Sequence, residues 1–328
     1  MKPSSQLIIA LAIISFTSFL FCNSALAKSV YAITDHEAST LKAYKIIGDQ
    51  LQYQANVDVT NYASGAVGIS IDSNLKLLFI TYENSGKIVW ADARSLEQKG
   101  FIDLSSAPIN ATQLAGIVAD EEKQRVYVVE RQDDKLYILF WDEEQEKLIL
   151  MNPDDPNQPY SSGDPYVTLT NLEPEEAYGI TLNDKTRRLY ISNATSSVHI
   201  YGVDNGFSHL GTRDVGRAVA DVAVDPNNGQ HNAFLYCGAL YAGPGDGHEY
   251  LIKHDLEANT TDETDINTVP IGIAVDVDSG LVYTSTSDKQ IRVYDCTSVP
   301  FVMTDFENTN ASELSAGAGI CVPLGDVF

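Results

Sequence analysis

Imidazoles that share a metal or pass a proton need close spacing, and the six histidines here, His36, His199, His209, His231, His248 and His254, do not have it. No H-E-x-x-H pair occurs among them. His248 is the one set among acids, with Asp246 two residues before it and Glu249 directly after. His199 alternates with Val198 and Ile200 and reads as a strand residue. A Gly-x-Ser-x-Gly elbow is absent. Gly243-Pro244-Gly245-Asp246-Gly247 is rich in glycine but follows no strand-to-helix switch, so a phosphate cradle is not expected there.

Carboxylates are the abundant reactive groups: 45 Asp and Glu stand against 21 Lys and Arg, for a formal net charge of -24. Such a surface repels phosphate backbones, so nucleic acid is excluded as a partner, while cationic partners are favoured. The turns Asp276-Val277-Asp278-Ser279-Gly280 and Asp154-Asp155 concentrate acids. They offer fewer oxygens than a calcium site takes. Their carboxylates are expected to cap turns, with structural calcium as the alternative and no other cofactor expected.

The N-terminus sets the compartment. Lys2 precedes an apolar run from Leu7 to Phe21, and Ala25-Leu26-Ala27 supplies a small-residue cleavage pattern, so residues 1–27 read as a secretory signal peptide. The run is shorter than the roughly 20 residues of a membrane span, and bulky Phe21 before Cys22 argues against a lipoprotein signal. Removing Lys2 and no acid takes the charge from -24 to -25. A secreted, cell-surface or periplasmic location follows, with no membrane span in the mature chain. Cys237, Cys296 and Cys321 remain, an odd number for an exported chain. Asn110, Asn193, Asn259 and Asn310 begin Asn-x-Ser/Thr sequons, which have meaning only in a host that glycosylates.

The elements that would position any site come from an internal repeat. Gly68-Ile69-Ser70-Ile71-Asp72, Gly116-Ile117-Val118-Ala119-Asp120, Gly179-Ile180-Thr181-Leu182-Asn183, Asp221-Val222-Ala223-Val224-Asp225 and Gly272-Ile273-Ala274-Val275-Asp276 align, and Gly319-Ile320-Cys321-Val322-Pro323 is a partial sixth copy. A short turn follows each full copy, then a β-branched and aromatic run such as Leu77 to Thr81 or Leu189 to Ser192, a polar turn, and a third run such as Leu136 to Trp141. Several third runs close on Asp, at Asp92, Asp142, Asp204, Asp255 and Asp295.

Four antiparallel strands at a spacing of roughly 40 to 50 residues predict propeller blades. Glycine at the head of five of the six inner strands suits a crowded axis. The chain past residue 27 opens on a second-type strand, Val30 to Thr34, with no Gly-Ile strand before it. Gly319 to Val322 is expected to supply it, so that N- and C-terminal strands close one sheet and leave no open edge. The prediction is an all-β, six-bladed propeller spanning 28–328 as one domain. Asn152 to Glu176 and Gly238 to Glu249 interrupt the spacing and read as loops.

Stretches such as Gly272 to Asp276 with Leu281-Val282-Tyr283, and Arg188-Leu189-Tyr190-Ile191-Ser192-Asn193 with Val198-His199-Ile200-Tyr201, resemble NHL, YVTN and YWTD propeller repeats across essentially the whole chain. Asp221 and Asn183 depart from the pattern, where Gly and Asp are usual. The resemblance implies architecture; its members range from receptors to enzymes.

With blades running as in other propellers, the channel mouth falls near Val67, Ala115, Tyr178, Asp221 and Ile271, with Tyr82, Glu130, Arg131, Asn193 and Asp288 further out. The candidate ligand-binding set is Tyr82, Glu130, Arg131, Tyr178, Asn193 and Asp221. A metal-dependent, lactonase-like hydrolase needs several ligands converging on the axis, and only Asp221 starts an inner strand. No catalytic residue or metal ligand is therefore assigned. The expected function is an exported, non-catalytic recognition or scaffold module for a protein, peptide or glycan. The hydrolase and a structural module of a larger surface protein are the alternatives. Cys296, after a third strand, and Cys321, on the closing strand, are the expected disulfide, with Cys237 a buried small hydrophobe.

Overall fold

The computed structural model describes residues 29–35, 40–47, 50–59, 65–172, 177–226, 233–241, 249–288, 290–308 and 319–323. The signal-peptide reading, His36, His231, His248, Asn310 and the glycine-rich run from Gly243 lie outside them. Among the described residues, no helix is long and apolar enough to cross a membrane.

The strands form six antiparallel sheets, each with four consecutive neighbours. Blade 1 contains Ser29–Asp35, Thr40–Ile47 and Gln50–Asp58, with Ile320–Cys321 innermost. Blade 2 runs Ala66–Asp72, Leu77–Tyr82, Lys87–Asp92 and Gln98–Asp103. Blade 3 contains Leu114–Asp120, Arg125–Glu130, Lys135–Asp142 and Lys147–Leu150. Blade 4 is Ala177–Asn183, Arg188–Asn193, Ser197–Gly202 and Ser208–Asp214. Blade 5 is Ala218–Asp225, Phe234–Tyr241, Tyr250–Asp255 and Thr260–Asp265. Blade 6 is Pro270–Asp276, Leu281–Thr286, Gln290–Asp295 and Val302–Asn308. Ring closure is as expected: Tyr31 pairs with Cys321 and Ala32 with Ile320.

Strand periodicity explains the core. Successive side chains leave a strand on opposite faces, and here both faces are covered, so the strands read as continuous apolar runs. In blade 2, Leu78, Ile80 and Tyr82 pack toward blade 1, while Leu77 and Phe79 pack toward blade 3. Among the described residues six such clusters form, one in each blade-to-blade junction.

The closing acids cap their turns. Asp72 Oδ1 accepts the amides of Asn74 and Leu75, both at 2.9 Å. Asn183 accepts the Thr186 amide at 3.0 Å, so amide replaces acid there without loss of the cap. Asp92, Asp142, Asp255 and Asp295 cap outer turns in the same way. Asp276 caps its turn by accepting from the Asp278 amide at 3.1 Å and from Ser279 Oγ at 2.6 Å.

Three expectations change. The insertion after Asn152 is not only a loop: Val167–Thr168 returns to pair with Leu136 and Lys135, while Lys147–Leu150 pairs further along the same strand. The insertion therefore splits the outer strand of blade 3. Gly238 to Tyr241 likewise extends the second strand of blade 5 instead of opening a loop. The expected staple is not formed either: Cys296 and Cys321 are free buried thiols in separate junction clusters.

Candidate functional site at the channel mouth

The inner strands of all six blades surround a central channel of about 740 Å³. Axial crowding is severe where those strands begin. A Cβ on Gly68 would lie 2.4 Å from the Ala115 carbonyl oxygen, and one on Gly116 would lie 2.6 Å from that of Tyr178. Only hydrogen fits between such backbones. In five blades the pairing of inner and second strands is irregular at this point, between Ala66 and Ile69, Leu114 and Ile117, Ala177 and Ile180, Val219 and Val222, and Pro270 and Gly272. Bulges of this kind re-aim side chains.

Blades 2, 4 and 6 place a hydroxyl opposite the axial glycine. Thr81 Oγ1 accepts the Gly68 amide at 3.0 Å and donates to the Ala115 carbonyl at 2.5 Å. Ser192 Oγ accepts from Gly179 at 2.8 Å and donates to Ala220 at 2.9 Å. Ser285 Oγ accepts from Gly272 at 3.0 Å. The hydroxyls satisfy the amides that the bulge frees, and Thr81 and Ser192 also tie their inner strands to those of the next blades.

Blade 5 inverts the arrangement. Val222 pairs with Cys237, which sets Asp221 opposite Gly238. A Cβ on Gly238 would lie 2.6 Å from the Pro270 carbonyl oxygen, so this glycine makes the close approach. Asp221 Oδ1 accepts its neighbour Val222's amide at 2.9 Å, and Oδ2 accepts Ile273's amide from blade 6 at 3.0 Å. The same carboxylate lies against blade 4, since a Cβ on Gly179 would be 2.3 Å from Oδ1. Burial pushes its pKa up to about 6, against the two amide bonds, which lower it.

Arg131 and Tyr178 meet at the mouth. The guanidinium carbon sits 4.2 Å from the centre of the Tyr178 ring, and Nη1 is 3.4 Å from Glu83 Oε1. All three line the channel. The stack is a cation–π contact, and the Glu83 pair, partly exposed on both sides, orients the guanidinium more than it stabilises it.

Three of the six candidates therefore line the channel, Arg131, Tyr178 and Asp221. The other three are built into blades. Tyr82 is fully buried and donates to the Val59 carbonyl at 2.6 Å. Glu130 is buried, accepting from the Thr112 amide at 2.8 Å and from the Tyr137 hydroxyl at 2.9 Å. Asn193 is buried, accepting from Thr195 Oγ1 at 2.6 Å and lying 3.3 Å from His199 Nε2. Asp288 is engaged by Arg292 and Thr286. Glu83 and Ser287, which do line the channel, were missed. Each directly follows a second strand, as Arg131 does, and strand alternation is the signal that separates them from Tyr82, Glu130 and Thr286.

Among the described residues, no three His, Cys, Asp or Glu side chains converge to hold a metal ion. At the other end of the channel Glu121 accepts the Ser73 amide at 2.8 Å, and burial, with Asp72 and Asp184 nearby, raises its pKa.

Fold and channel together define the class: a six-bladed β-propeller with a largely apolar channel and one carboxylate set among its axial backbones. Solved structures agree on the fold. A chain of a nidogen/laminin complex superposes with a TM-score of 0.67 at 11% identity, over 92% of this chain and 99% of that one. A functionally unknown protein from Desulfotomaculum acetoxidans gives 0.56 at 10% identity over 90% and 86%. A chain of Kuenenia stuttgartiensis hydrazine synthase gives 0.51 at 9% identity over 80% and 74%. No family model matches the sequence, and no curated protein matches it.

Proposed function

We propose that this chain is an exported, non-catalytic recognition propeller that binds a protein or peptide partner at the channel mouth. The observation that carries the reading is the Arg131–Tyr178 stack beside an apolar channel. Arginine and tyrosine are enriched among the residues that dominate binding energy, and a stacked pair offers a rigid, low-entropy contact surface. A concave, mostly apolar site of this size with few polar groups is typical of ligand recognition. The similar chain in the nidogen/laminin complex belongs to a protein assembly, which is consistent with the reading. Export rests on the charged, apolar and small-residue pattern of residues 1–27.

The test is affinity capture from the native cell envelope with immobilised protein, comparing the wild type with an Arg131→Ala/Tyr178→Ala variant of unchanged thermal midpoint. Loss of a specifically retained partner in the variant is expected. Equal capture by both would remove the mouth as the binding face.

A further inference from the structure

Asp221 bridges blade 5 to blade 6 with a charged group, where blades 2 and 4 make the corresponding bridge with the neutral hydroxyls of Thr81 and Ser192. Its two oxygens accept one amide each, and a carboxylate has about four acceptor directions, so capacity is left over. Among the described residues no cationic side chain pairs with it. The neighbouring channel wall is apolar, including Ala220, Val222, Ile271 and Ile273. An ionised carboxylate in such surroundings is costly until a cation meets it.

We infer that Asp221 is the receptor for a primary ammonium group carried on an aliphatic stem, the chemistry of a lysine side chain or a free alkylamine, with the stem lying along the apolar wall. Four considerations favour this ligand. The channel volume of about 740 Å³ admits an extended side chain. An ammonium is a compact point charge that can take one free acceptor direction and turn its other donors to water, whereas a guanidinium binds best along the joint edge of two free oxygens, and both oxygens here already accept an amide. A hard metal cation would want six or more oxygens. The net charge of -24 draws cations toward the protein. The inference rests on the proposed mouth-binding role and names the chemistry that the site selects.

The test is calorimetric titration of the purified protein at pH 7.5 with n-hexylammonium, 1-hexanol and hexanoate. Hexylammonium is expected to bind at least tenfold more tightly than hexanol, with hexanoate weakest. Asp221→Asn and Asp221→Gly, the latter restoring the residue the other copies carry, are expected to lose that preference while staying folded by circular dichroism. A wild type that does not discriminate hexylammonium from hexanol overturns the inference. So does a preference that survives in both variants. A Leu-Lys-Leu peptide capped at both ends, compared with its Nε-acetylated form, distinguishes the source. Binding of the free-lysine peptide more tightly than hexylammonium assigns the site to a partner's lysine, and equal binding assigns it to free amines. Loss of partner capture in the Arg131/Tyr178 variant with unchanged capture by both Asp221 variants would overturn a partner's lysine as the source and leave the mouth as binding face.

Discussion

Gly238 stands opposite Asp221 in blade 5, the reverse of the flanking blades, where Gly179 stands opposite Ser192 and Gly272 opposite Ser285. The swap keeps one residue without a side chain at the close approach and one polar group bridging to the next blade. Its polarity inverts: Ser192 donates to a carbonyl of blade 5, whereas Asp221 accepts an amide of blade 6. The carboxylate thus joins ring construction to the proposed binding chemistry.

Gly238→Ala is expected to destabilise the ring, because its Cβ would meet the Pro270 carbonyl oxygen at 2.6 Å and backbone must move. Overpacking of this kind costs about 1–3 kcal/mol. Gly68→Ala, with Cβ 2.4 Å from the Ala115 oxygen, should behave alike. Scanning calorimetry should show a lowered midpoint for both, and an unchanged midpoint would mean that the axis is looser than this geometry.

Blades 3 and 4 share a buried ion pair. Arg187 donates to Asp120 through Nη1 at 3.0 Å and Nη2 at 2.5 Å, and the Tyr127 hydroxyl donates to the same acid at 3.0 Å. Arg187→Met strands the carboxylate and is expected to cost about 3–5 kcal/mol by urea denaturation. Adding Asp120→Asn should recover most of the loss. A double variant no better than the single would contradict the pairing as the cause.

Two groups give opposite pH slopes. Asp221 has its pKa raised to about 6, so its contribution to stability is fully present below the ordinary carboxylate value of 3.8 and is lost as pH rises through about 6. His199 is held down to about 4 by burial first and by His209 second. Its contribution is present above 6.5 and is lost as pH falls toward 4. Thermal midpoints from pH 4 to 7.5 should show Asp221→Gly gaining on the wild type as pH rises. His199→Gln should gain on it as pH falls.

Cys237, Cys296 and Cys321 are buried free thiols, and burial pushes all three pKa values up, Cys296 to about 12. A thiol-reactive chromophore should find none of them in the native protein and all three after denaturation. Intact mass should be the same with and without reductant. A two-dalton change would establish a disulfide.

The ring was legible in the sequence because its determinants are local. Asp72, Asn183 and Asp276 cap turns within three residues of themselves, and the apolar second strands follow from their own composition. Of the six candidate residues, the placement of three on the channel was legible as well, namely Arg131, Tyr178 and Asp221. Tyr82 and Glu130 lie one strand position from channel-lining Glu83 and Arg131, since a single step reverses the face a side chain takes, while Asn193 is buried within its blade.

The sequence by itself determined six aliphatic inner strands, five of them opening on glycine, with their turn caps and the closure of Ile320–Cys321 onto Ser29–Asp35, each written in periodicity that a short segment carries. Only the tertiary structure decided that Asp221 lies among the backbones of three blades and that Arg131, Tyr178 and Glu83 meet. Those meetings depend on bulges and on how closely neighbouring inner strands approach, which the ring as a whole fixes.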